Sequence, residues 1–117
     1  MKIILALAAS TLAFSAAQAQ EIGYAEDALA YSAMMDGNWE RAERQLAASA
    51  DELSADPARL LNLAQVYAAT GRDADARAIY QQVLAGEDMT LVLSDDRKVS
   101  AHMIAGAKLA TVERASR

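Results

Sequence analysis

His102 is the chain's single histidine, and Asp95 and Asp96 stand a few residues before it. An imidazole and two carboxylates in one neighbourhood are raw material for a divalent metal site or for acid–base chemistry. The set stops short of either. A metal site wants further ligands at fixed spacing, and the chain has no second histidine and no cysteine to supply them. The other acidic pairs, Asp51-Glu52 and Glu87-Asp88, fall at expected helix ends and turns, where solvation explains them. A carboxylate pair working as acid and base needs one member in an apolar pocket, and none of these has such surroundings. No nucleophile elbow and no phosphate-cradling glycine loop occurs. His102 reads as a surface or capping residue at a helix start. The expectation is a non-enzyme with no catalytic residue, no cofactor and no metal.

Length and composition narrow the field further. The 117 residues suffice for one small domain. They open with MKIILALAASTLAFSAAQAQ: one lysine, an apolar run from Ile3 to Phe14, then small residues leading to Ala17-Gln18-Ala19. That order is a secretory signal peptide, 1–19, cut between Ala19 and Gln20. The rival is an uncleaved anchor, but the apolar run is well short of the ~20 residues that a spanning helix needs. Without cysteine there is neither lipid attachment at the cut nor a disulfide, so packing alone must hold the fold. Beyond the cut, 20–117 keeps ten basic residues against sixteen acidic ones, a net charge of −6. Such a surface argues against nucleic acid and anionic lipid as partners. The short leader is of bacterial type, which points to the periplasm or to secretion beyond it.

The elements of 20–117 read as mostly helical. Ile22, Ala25, Leu29 and Ala33 share a face and predict a helix over 22–35, ended by Asp36-Gly37. Asn38 can cap the next helix, which carries Trp39, Ala42, Leu46 and Leu53 and stops near Ser54. Asp56-Pro57 is the sharpest punctuation, an N-cap followed by the residue best suited to the first helical position. The helix over 57–70 places Leu60, Leu63, Ala64 and Tyr67 on one side. Gly71 closes it. Asp73 is expected to cap a fourth helix through Ala76, Ile79, Tyr80, Val83 and Leu84, ended by Gly86. In 89–99, aliphatic runs flank the polar turn Ser94-Asp95-Asp96-Arg97; they read as a short β-hairpin, with a loop entering a helix as the rival. A last helix over 101–114, with Ser100 as candidate cap, carries Met103, Ile104, Ala107 and Val112.

These helices have a period. Gly37 and Gly71 are 34 residues apart, as are Ala42 and Ala76, and Leu46 and Tyr80. A helix-turn-helix unit with this period resembles the tetratricopeptide repeat. The resemblance covers 23–56 and 57–90, with 89–117 as a tail. In the second unit Leu60, Leu63, Ala64 and Tyr67 take the large, leucine, small and aromatic positions of the family's first helix. Gly71 takes the turn, and Ala76 and Tyr80 take the second helix. In the first unit Leu29, Ala30, Gly37, Ala42 and Leu46 fit, whereas Glu26 and Ala33 stand where the family prefers large or aromatic residues. Trp39 takes an aromatic position just after the turn glycine, where its ring can pack across the junction of the two helices. An unrelated four-helix bundle with accidental spacing is the rival.

The resemblance implies an all-α fold: two antiparallel helical hairpins stacked as a short solenoid, then the β-hairpin and a capping C-terminal helix. It also implies an adaptor or scaffold that binds a protein or peptide along the concave face of the first helices, and the leader would place it in the cell envelope. By register those positions are Tyr24, Asp27, Tyr31 and Met34 in the first unit, and Leu61, Asn62 and Gln65 in the second. Tyrosine and methionine make adaptable apolar contacts, and Asn62 and Gln65 can hydrogen-bond a peptide main chain. Family members that clamp a C-terminal carboxylate use lysine and arginine on this face, and none of these positions is basic. Two units fall short of the roughly three that usually complete a core. Either the last helix covers the open end or a homo-oligomer does.

Overall fold

The computed structural model describes residues 4–5, 24–93 and 96–115. Apart from Ile4 and Leu5, the expected leader and its cut lie outside the described residues, as do Ile22, Gly23, Ser94 and Asp95. The elements in chain order are β1 (Ile4–Leu5), α1 (Tyr31–Met35), α2 (Trp39–Ala48), α3 (Pro57–Ala69), α4 (Asp73–Ala85), β2 (Thr90–Leu93), β3 (Lys98–Ser100) and α5 (Ala101–Ala115).

Local chemistry explains α3 most directly. Asp56 Oδ1 accepts from the backbone N–H of Ala58 at 2.9 Å and of Arg59 at 3.2 Å. Pro57 fills the first helical position, where its missing N–H goes unneeded. The helix then runs 13 residues. Both interhelical turns close the same way. Gly37 and Gly71 lie at φ 70° and 79°, a region open to glycine. The N–H of Asn38 returns to the Ala33 carbonyl at 2.9 Å, and 34 residues on the N–H of Arg72 returns to Tyr67 at 2.8 Å. Asn38 caps α2 as expected, its Oδ1 accepting from Arg41 N–H at 3.1 Å.

Three expectations are corrected. The helix expected over 22–35 forms only from Tyr31. Residues 24–30 instead make tight turns, with the carbonyls of Ala25 and Asp27 accepting from Ala28 and Ala30 at 3.1 Å. Asp27 and Ala30 have φ of 63° and 58°. Aspartate tolerates that region, whereas in alanine it costs about 1–2 kcal/mol. Side chains from other elements hold the turns in place. Ser49 Oγ donates to the Ala28 carbonyl at 2.8 Å, and Asn62 Nδ2 to the Leu29 carbonyl at 2.8 Å. A regular helix would use those carbonyls internally. The second correction is that α2 ends at Ala48, short of Leu53: Arg59 Nε takes the Leu46 carbonyl at 2.9 Å, and the Ala50 N–H turns to Ala47 at 3.2 Å. Thirdly, Arg72 and not Asp73 occupies the N-cap of α4, with no side-chain cap. Asp73 and Asp75 lie in the first turn, where they complement the positive end of the helix.

The fold is the expected one: mostly helical, two hairpins in register, then a β-hairpin and a final helix. α3 packs chiefly on α4, and α5 packs on α4 while touching α3. α5 thus stands where the first helix of a next unit would stand, and it covers the end of the second hairpin. β2 and β3 pair antiparallel with Leu91 opposite Val99, which supports the hairpin reading of 89–99 over the loop. Ser100 Oγ accepts from Met103 N–H at 3.2 Å and so caps α5. Leu91 and Leu93 join the same core as Tyr80, Leu61 and Leu46. Among the described residues no helix is long and apolar enough to cross a membrane.

Candidate partner-binding face

The repeat-packing positions form the floor of the molecule. Leu29, Ala30, Ala42, Leu46, Leu60, Leu63, Ala64, Ala76 and Tyr80 are all buried in one core. Trp39 and Tyr67 pack on it half-buried, and Gly37 and Gly71 lie in the exposed turns. The alanines matter because antiparallel helices approach closely only where side chains are short. Burial drives the Tyr80 phenol's pKa far above its ordinary value.

The seven positions assigned by register to the concave face separate into two layers. Tyr31 and Met34 are 2% exposed, Leu61 is 1% and Asn62 is 0%. Tyr24 and Gln65 are half-buried and Asp27 is exposed. The structure therefore brings Tyr31, Met34 and Leu61 into the core and leaves Tyr24, Asp27 and Gln65 at the rim. Folding of the 24–30 turns onto α3 explains the division, since Asn62 holds Leu29 there. Tyr24 hydroxyl also donates to Asp56 Oδ2 at 2.8 Å, binding the turns to the N-cap of α3. Beyond Gln65 the face continues to Ala68, half-buried, and Ala69, exposed. Asn62 spends an amide N–H on Leu29, while its Oδ1 is buried with no hydrogen-bond partner among the described residues.

Three residues that hold the face were missed by sequence reasoning. Arg59 is 6% exposed, and its Nε donates to the Leu46 carbonyl at 2.9 Å, joining α3 to the end of α2. Burial lowers its pKa from the ordinary arginine value. Glu43 on α2 pairs with Arg72 before α4, the second bond of the pair being Nη1 to Oε2 at 3.2 Å. The hydrogen bond from Arg72 holds the Glu43 carboxyl below its ordinary value. The same guanidinium lies 4.5 Å over the Tyr67 ring. Glu43 and Arg72 are 29 residues apart, outside the 34-residue period, so the repeat gives no signal for the pair.

His102 lies elsewhere, at the α4–α5 joint. Its backbone N–H donates to Asp88 Oδ1 at 3.0 Å, and its Nε2 lies 2.9 Å from the Gly86 carbonyl. The Ser100 hydroxyl, with the His102 N–H second, holds the Asp88 carboxyl below its ordinary value. Among the described residues no three His, Cys, Asp or Glu side chains are grouped to hold a metal ion. Open depressions are present among the described residues. One of about 270 Å³ is bordered by Glu26, Asp27, Gln45 and Glu52; one of about 520 Å³ lies between Pro57, Leu60, Val83 and Met89.

The tetratricopeptide repeat family model matches residues 33–90, which span both interhelical turns and all of α2, α3 and α4. No curated protein and no solved structure matches the chain. Domains of this kind are generally protein–protein interaction modules. With both interhelical turns in 34-residue register inside that match, the chain belongs to the tetratricopeptide repeat family.

Proposed function

We propose that this chain is a non-catalytic adaptor or scaffold of the bacterial cell envelope, delivered by a cleaved leader and binding a protein or peptide segment along α3. The observation that carries the reading is the pair of matched helical hairpins, a framework that in this family generally serves protein contacts. On this reading Gln65, Ala68 and Ala69 are the accessible strip, and Tyr24 and Asp27 are the rim. The buried Tyr31, Met34 and Leu61 shape the strip from below. Adaptable contact and hydrogen bonding suffice for such docking, with no covalent step, cofactor or metal. The acidic surface makes nucleic acid an unsuitable partner.

The test is site-specific photo-crosslinking in the intact envelope. A photoreactive side chain at Ala69 should capture a discrete partner, and one at the exposed Gln81 on α4 should not. Equal capture at both positions would remove the α3 face from consideration.

One observation favours a second reading, self-association. Met103 on α5 is 70% exposed and Leu84 on α4 is 36% exposed, apolar side chains that a second copy could cover. A homo-oligomer joined there would show a melting temperature that rises with protomer concentration. A concentration-independent transition would exclude it.

A further inference from the structure

β1 holds a position that an interaction module would put to use. Ile4–Leu5 pairs parallel with β2, Ile4 opposite Val92 and Leu5 opposite Leu93, and it runs beside α3 on its other side. β2 is otherwise an edge. β3 takes one side of it, where Leu93 N–H donates to the Arg97 carbonyl at 2.9 Å. Main-chain groups alternate in direction along a strand, so those of Thr90 and Val92 face β1. If the leader is removed, they lose their partners, and an unpaired edge is a template for another strand.

We propose that in the processed protein an extended aliphatic segment of a partner protein occupies this slot, adding a parallel strand to β2 between Val92–Leu93 and α3. The inference rests on the envelope-adaptor reading and names its class of ligand. The chemistry of the occupant is argued from the chain's own Ile4–Leu5, an aliphatic pair in the required direction and register. A partner residue opposite Leu93 would share its face of the sheet, on which Leu91 and Leu93 enter the core at 0% and 2% exposure. Recognition would then combine main-chain pairing with apolar selection at alternate residues.

The experiment uses the full chain, expressed with its leader and purified after export, with intact mass fixing its N-terminus. The probe is a fluorescein-labelled peptide of residues 2–8, KIILALA, with a lysine tail, followed by anisotropy. Saturable binding is expected. N-methylation at the peptide's Leu5 position, whose amide faces Val92, should weaken binding about tenfold, the loss of one hydrogen bond. N-methylation at the Ile4 position, whose amide faces away, should change it by less than about twofold. Retention of the leader, absence of binding, or equal sensitivity to the two methylations would overturn the inference. So would a dimer that the peptide disperses, because the occupant would then be a second copy. Partner capture at Ala69 does not depend on peptide binding or on the two methylations, so strand addition can fail while docking along α3 stands.

Discussion

The two helical hairpins share a register and a turn, yet they start differently. In the second, Asp56 and Pro57 launch a 13-residue helix from local chemistry alone. In the first, no side chain caps α1, and only five residues are helical. The turns before it pass through φ 58° at Ala30 and are held by Ser49 and Asn62. The lesson is that period sets where the helices pack, while capping sets how much helix forms. The first hairpin borrows its order from the second, through Asn62, Tyr24 with Asp56, and Arg59 with Leu46. The accessible part of the face accordingly lies on the self-sufficient helix, α3.

The largest expected way to break this dependence is Leu46→Ala. Leu46 is 0% exposed on α2, and its loss should cost about 2–5 kcal/mol in urea unfolding. One cooperative transition is expected; two transitions would mean that the first hairpin stands alone. Next is Asn62→Leu, which keeps bulk but leaves the Leu29 carbonyl unpaired. It should cost about 1–3 kcal/mol and loosen 24–35 before α3. Asp56→Ala removes both the α3 cap and the Tyr24 contact, and about 0.5–2 kcal/mol should follow from the cap. Asn38→Ala, which removes the α2 cap inside the first hairpin, should instead act on α2 alone.

The smallest effect concerns the Glu43–Arg72 pair. The Glu43 carboxyl is held below its ordinary 4.5, so its contribution is present above that value. It is lost as pH falls through the lowered folded value. Between neutral pH and about 3, wild type should therefore lose slightly more of its thermal midpoint than Glu43→Gln. A parallel decline in the two proteins would show that the pair adds nothing to the coupling of the hairpins.

Much of this was legible in the sequence. Gly37 and Gly71 mark the turns because both need positive φ, and Asp56-Pro57 marks α3 because its capping is local. The β-hairpin and the covering helix α5 were also readable from pattern. The shortness of α1 was foreshadowed only by the poor fit of Glu26 and Ala33 to the repeat. What actually sets it is a pair of hydrogen bonds from Ser49 and Asn62, distant in sequence, and periodicity carries no information about them. For the same reason the division of the candidate face was not readable. Tyr31, Met34 and Leu61 sit at concave register positions, yet the folding back of 24–30 puts them in the core. Asp73 was misplaced as a cap because its residue type suits both the cap and the first turn.

The most direct test of unequal hairpins is native-state amide hydrogen exchange on the intact chain, resolved by residue over 24–35 and 57–69. Protection over 60–69 should approach that of global unfolding, whereas 24–30 should exchange through a smaller, local opening that Asn62→Leu makes easier. Equal protection in the two first arms, unmoved by Asn62→Leu, would contradict the dependence of the first hairpin on the second.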